Sequence, residues 1–248
     1  VYIGADKFGA RREAANSVEE IAELCDFAHL YGCRVYVALN TILFDSEIPQ
    51  AAELAQRLYR ANVDALILQD LGLIECGLPP IAIHASTQCH TATPEKARFL
   101  ERCGFSAVVA ARELSVGEIA AIRRALKPET RIECFVHGAL CVSYSGRCRL
   151  SYAIGGRSGN RGECAQPCRM KYALIDGAGR EIRPPAYYLS LRDMNRLENL
   201  GAMIDAGADI FKIEGRLKDA GYVKNITALY RRKLDALLAE RGLEKSSY

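Results

Sequence analysis

Four stretches of the chain repeat one layout, a helix end closed by small or turn residues and followed at once by an apolar run: Tyr31–Asn40, Ala61–Asp70, Cys103–Ala110 and Ala206–Gly215. A strand with one wet face alternates apolar and polar residues, whereas a parallel strand covered on both faces reads as a continuous apolar run. These runs are of the second kind. Val1–Gly4, Ile81–His84 and Arg131–Val136 add further candidates, giving seven strands that end with Phe211–Glu214.

The intervening segments carry helix start signals. Ser17 with Glu20 and Ser115 with Glu118 fit capping boxes, and Thr93-Pro94 offers an N-cap followed by proline at the first helical position. After Ser17 the set Val18, Ile21, Ala22, Cys25 and Ala28 keeps helical spacing and gives one buried face. Strands alternating with such helices predict an α/β fold, a (β/α)8 TIM-type barrel lacking its first strand in this chain, with residues 1–248 as a single barrel-type domain. An open doubly wound sheet is the alternative, because periodicity does not report closure. Val1 opens directly on a strand without an initiator Met, and a natural start further upstream is expected.

A chain of 248 residues that is 50% hydrophobic and 25% charged can bury a full core. Its net charge of +3 permits a polyanionic partner without demanding one. No apolar run approaches the roughly 20 residues of a membrane helix, and no charged-then-apolar leader opens the chain. A cytoplasmic protein with no membrane partner is expected. The ten cysteines are too diluted for a disulfide scaffold. Cys25, Cys33, Cys76, Cys89, Cys103 and Cys134 are expected to pack as small hydrophobes.

Residues 138–185 break the rhythm. They are rich in Gly, Cys and Arg, too long for an ordinary βα loop, and contain the remaining four cysteines, Cys141, Cys148, Cys164 and Cys168. Thiolates set a few residues apart among Gly and Pro can fold over one soft metal centre. Spacing leaves zinc and iron-sulfur both open. Arg157, Arg161 and their basic neighbours outnumber the acidic residues here. They suit RNA phosphates, with Tyr144, Tyr152 and Tyr172 available to stack a base, or equally offset a negative thiolate cluster.

Peptidase chemistry lacks a recognisable arrangement. There is no His-Glu-x-x-His, and Gly156-Arg-Ser158-Gly-Asn160 only half resembles a nucleophile elbow. A Cys141–His137 pair is conceivable, but that cysteine also belongs to the metal set. In a parallel barrel the carboxyl ends of the strands face the site. This places His84, His137 and Glu214 as candidate catalytic groups. Asn40, Gln69, Asp70, Ser86, Gln88, Arg112 and Arg216 are candidate binding groups, the two arginines as clamps for a small carboxylate or a phosphate. His29 reads as structural, and His90 has no assignment.

The run Glu133-x-Phe135-x-x-Gly138-Ala139-Leu140-Cys141, followed by Gly146-x-Cys148-x-Leu150-Ser151, resembles the signature of peptidase family U32. Val1-Tyr-Ile-Gly-Ala resembles that family's second strand, Ala38-Leu-Asn40 its third and Phe211–Lys218 its eighth, with the Cys-rich insertion after the seventh. The family is labelled collagenase-like. Members with these four cysteines resemble iron-sulfur proteins that hydroxylate RNA bases or ubiquinone precursors. The resemblance implies a [4Fe-4S] cluster on Cys141, Cys148, Cys164 and Cys168. Ile154–Gly162 followed by Ala165-Gln-Pro-Cys168 looks most like the branch acting on a cytidine of 23S rRNA, ahead of the tRNA wobble-uridine branch. Both imply prephenate as a hydroxyl source. A collagenase-like peptidase and a non-catalytic zinc-containing RNA-binding module are the alternatives, and oligomeric state is left open.

Overall fold

The computed structural model describes residues 1–10, 15–215 and 218–242. Each expected strand is present: β1 (Tyr2–Ala5), β3 (Tyr36–Leu39), β4 (Ala65–Leu68), β5 (Ala82–Ala85), β6 (Ala107–Val109), β7 (Arg131–Gly138) and β11 (Ile210–Ile213). Between them run α1 (Val18–His29), α2 (Ile48–Arg60), α3 (Pro94–Arg102), α4 (Val116–Ala125) and α6 (Leu200–Asp205), with α7 (Ala220–Glu240) after the last strand. Both capping boxes form, and Thr93 Oγ1 accepts from the amide of Lys96 with Pro94 inside the first turn. The strands register in parallel in the order β1-β3-β4-β5-β6-β7, with β11 on the far side of β7. All four residues of β4 and all three of β6 are buried, as their continuous apolar reading required. Leu66, Val108 and Ile132 meet Ile21, Leu58, Leu100 and Ile122 of the helices in one core.

Four further strands carry no clear sequence signal. β2 (Ala15–Asn16) pairs in parallel with the free edge of β1, and β10 (Met194–Asn195) pairs antiparallel with the end of β7. β2 thus covers the edge of β1. Within the Cys-rich insertion, a short helix α5 (Leu150–Gly155) is followed by a separate antiparallel hairpin, β8 (Tyr172–Ile175) with β9 (Glu181–Ala186).

Among the described residues no backbone pairing joins β1 to β11, so hydrogen bonds do not close the sheet into a complete barrel. The sheet nonetheless curls. In a flat sheet β1 and β7 would stand five strand spacings, about 24 Å, apart. Yet Tyr2 Oη donates to Glu133 Oε2 at 2.8 Å, Lys212 Nζ of β11 donates to Glu133 Oε1 at 2.7 Å, and Lys212 Nζ lies 3.8 Å from the Tyr2 ring centroid. Tyr36, His84 and Glu133 come from alternate strands, the layering expected inside a curled parallel sheet. Tyr36 packs edge-on to both Tyr2 and His84.

His84 is therefore an interior residue, 5% exposed, and its Nδ1 has no hydrogen-bond partner among the described residues. Burial lowers its pKa from 6.5 to about 4, more than the Glu133 carboxylate restores. The folded state thus binds fewer protons than the unfolded state between these values. His84 contributes stability that is complete above about pH 6.5 and lost as pH falls toward about 4. The difference amounts to about 3 kcal/mol. Chemical denaturation from pH 7 to 4 is expected to show a steeper loss for the parent than for His84→Phe. Parallel curves would contradict the buried neutral imidazole.

Candidate functional site

The cysteine segment folds over the carboxyl ends of the strands because two glycines let its backbone lie directly on theirs. Gly138, at φ +105°, packs against Glu214, and Gly146, at φ +71°, against the Gln88 carbonyl; a methyl group at either position would overlap those atoms. The glycines of the Gly138-Ala-Leu-Cys141 and Gly146-x-Cys148 motifs are thus needed for close approach as well as for φ. Asn160 Nδ2 donates to the Gly146 carbonyl at 2.9 Å. Ser151 Oγ, buried, accepts from the Ala165 amide at 3.1 Å and points at Cys164 Sγ from 3.9 Å. Arg169 donates to the carbonyls of Leu140 and Leu191 and to Ser190 Oγ, tying the first cysteine's turn to the last.

These fixings bring Cys141, Cys148, Cys164 and Cys168 to the lining of one cavity of about 410 Å³, together with Asn40, Gln88, Arg112, Glu214, Asp193 and Lys218. Burial pushes the Cys168 thiol up, and the neighbouring Cys141, Cys164 and Cys148 push it the same way against Arg169. Four thiols on one cavity are the donor set that a soft metal centre would take. Gly146→Ala is expected to lift the loop from Gln88 and leave the strands folded, and, if the four thiols hold a metal centre, to lower its retention about tenfold or more, the scale of losing a group that orients ligands. Metal analysis of the purified variant checks this, and full retention would contradict it.

The other cysteines behave differently. Cys25 and Cys134 are buried and Cys89 partly so, and desolvation raises their thiols to about 11, 12 and 11 respectively, which keeps them neutral. Cys103 is partly buried. Cys33 and Cys76 are exposed, which corrects the expectation that all six pack as small hydrophobes: both sit on helix-end turns that face water.

Of the polar candidates, Asn40, Gln88, Arg112 and Glu214 reach the cavity. Asn40 is fixed by the Ala10 amide donating to Oδ1 and by its own Nδ2 donating to Ser86 Oγ at 3.0 Å. Arg112 stacks on Phe135, its guanidinium carbon 4.5 Å from the ring centroid. Ser86 serves a turn, its Oγ also accepting from the Gln88 amide, and Asp70 caps the turn after β4. Gln69 is packed beneath, with Nε2 3.5 Å from the Gln88 carbonyl and Oε1 without a partner among the described residues. His29 pairs with Asp64, and His90 with Glu113.

His84 and His137 do not line the cavity. Tyr230 Oη donates to the Val136 carbonyl at 2.8 Å, so its oxygen is left to accept from His137 Nδ1–H. Nε2 of His137 then accepts from Tyr222 Oη at 3.0 Å, and burial lowers the His137 pKa. Both ring nitrogens are engaged by tyrosines, and the Cys141–His137 pair that a cysteine peptidase would use is not formed. Arg161 makes a bidentate ion pair with Glu47 at 2.6 and 2.9 Å and stacks on Phe44. Its charge holds the loop to the segment after β3. Arg157 donates to the Glu163 carbonyl. Arg216 lies outside the described residues. Sequence reasoning did not single out Asp193, which carried no local signal. It also passed over Lys218, which stands in the Phe211–Lys218 run, and Ser151, which follows Cys148 at a fixed step.

Among the described residues, no group of three or more His, Cys, Asp or Glu is arranged to hold a metal ion, and no helix is long and apolar enough to cross a membrane. Residues 1–247 match the description Peptidase family U32. The chain is 54% identical over 242 residues, 98% of its own length, to a 23S rRNA 5-hydroxycytidine synthase of Escherichia coli (strain K12). It is 37% identical over 252 residues, 97% of its length, to tRNA hydroxylation protein P1 of Bacillus subtilis (strain 168). It spans 37% and 59% of those two relatives' lengths. A solved structure of a U32 peptidase superposes with TM-score 0.56 at 16% identity, covering 88% of this chain and 85% of that one, which supports the shared α/β fold. From the matched span and these identities, the chain belongs to peptidase family U32.

Proposed function

We propose that the protein takes part in hydroxylating a pyrimidine base of RNA, a cytidine of 23S rRNA ahead of a tRNA wobble uridine, at a [4Fe-4S] cluster held by Cys141, Cys148, Cys164 and Cys168. The observation that carries this reading is that four thiols line one cavity, with Asn40, Arg112, Glu214 and Lys218, at the carboxyl ends of the strands. The names of the two relatives favour RNA as substrate.

A lone zinc needs its thiolates drawn to about 2.3 Å from one point. An iron-sulfur cluster takes the same four thiolates, and the cavity they line also holds Asn40, Arg112 and Glu214 beside them, where a substrate would meet it. Such a cluster supplies redox-active iron beside the substrate. The chain's own groups do the rest. Arg112, held over Phe135, and Lys218, 3.8 Å from Asp193, offer cationic contacts for a small dicarboxylate of the prephenate type. Asn40, locked by Ala10 and Ser86, presents a fixed amide edge that can read a base. Glu214, nine-tenths buried beside Gly138, is placed to accept a proton at its carboxylate. Mass spectrometry of RNA from cells lacking the gene tests the reading. One nucleoside should become lighter by one oxygen, and an unchanged nucleoside profile would refute it.

A further inference from the structure

The β8–β9 hairpin belongs to neither the main sheet nor the core. Two-stranded hairpins are marginal by themselves, and this one leaves Leu174, Ile175 and Ile182 exposed. Its root is nevertheless pinned to the cavity wall. Tyr172 Oη donates to the Pro167 carbonyl at 2.7 Å, and Arg169 holds Ser190 and Leu191, the return of the same excursion. Pro167 and Arg169 flank Cys168 and line the cavity. The hairpin therefore rises directly beside the candidate site.

Its charge is one-sided. Residues 169–192 contain five basic residues against two acidic ones, an excess equal to the net +3 of the whole chain. One of the acidic residues, Asp176, is taken up by Arg180 within the hairpin turn. Tyr187 and Tyr188 follow β9 and are 58% and 46% exposed, with Lys171 Nζ 5.4 Å from the Tyr187 ring centroid. Basic side chains that follow a phosphate backbone, interleaved with exposed rings on which bases stack, are how single strands are held without sequence readout. A protein partner would suit the aliphatic residues alone but gives no reason for the positive excess.

We propose that the β8–β9 hairpin with Tyr187-Tyr188 is a docking surface for single-stranded RNA, which it presents to the neighbouring cavity; this rests on the RNA-modification reading above. The test is fluorescence anisotropy of a labelled single-stranded RNA oligonucleotide of mixed sequence, titrated with the parent protein and with Lys171→Glu, Arg183→Glu and Tyr187→Ala over a range of salt. Each charge reversal is expected to weaken binding about tenfold and to lower the salt slope by about one, and Tyr187→Ala to weaken it about tenfold with the slope unchanged. Circular dichroism and iron content should match the parent in all three. Variants that bind as tightly as the parent would overturn the docking surface while leaving the reading of the cavity intact. The docking surface is equally overturned if binding is undiminished but the variants sediment at lower mass, because the patch would then join copies of the chain. A parent protein that binds no RNA at any salt would remove the RNA reading itself.

Discussion

Replacing any one of Cys141, Cys148, Cys164 or Cys168 with serine is expected to remove most of the bound iron and to lower RNA hydroxylation by about 100-fold or more. Loss of a group that merely supports a metal ligand already costs 10- to about 100-fold, and a hard serine oxygen is a poor substitute for a soft thiolate. The four variants should fail alike, since the thiols share one cavity. The structure also selects the controls. Cys33→Ser and Cys76→Ser alter exposed thiols on helix-end turns and should leave iron and activity at parental levels. Cys25 is a poorer control because it is fully buried in the core, where serine would cost stability for unrelated reasons. Iron determination and nucleoside mass spectrometry on the same preparations check the prediction. A ligand variant that keeps full iron and full activity would end the cluster assignment.

The second large effect concerns stability. Glu133 is wholly buried, and its carboxylate accepts from Tyr2 of β1 and from Lys212 of β11, tying β1 to the paired strands β7 and β11 where, among the described residues, no backbone pairing joins β1 to β11. Glu133→Leu would leave the largely buried Lys212 ammonium unpaired. Breaking a buried pair on one side costs about 3–5 kcal/mol, which for a chain of this size lowers Tm by about 10 °C. Removing both charges, as Glu133→Leu with Lys212→Met, should recover most of that loss, because the main cost is the orphaned charge and not the missing attraction. Denaturant titration of the three proteins decides it. A single variant less than about 1 kcal/mol below the parent would mean that the pair is solvated and does not hold the curl, as exposed pairs do.

Much of the scaffold was legible because its causes are local. The apolar runs at Ala65–Leu68 and Ala107–Val109 mark strands covered on both faces, and Ser17, Thr93 and Ser115 satisfy amides within three residues of themselves. The course of the cysteine segment was legible for a similar reason, since glycines at 138 and 146 allow tight turns that bring the four thiols to one cavity. Tertiary structure decided the rest. A strand buried on both faces gives no sequence sign of which face a polar residue takes, so His84 turns into the sheet against Tyr36 while Gln88, four residues later, reaches the cavity. Arg161 reads as a free cation in the sequence, yet it is engaged by Glu47, 114 positions earlier in the chain. Glu133 gains its meaning only from Lys212 and Tyr2, which lie 79 and 131 positions away. Propensity and capping act over a turn or two of chain, whereas charge pairing and burial depend on distances that exist only after the sheet has curled.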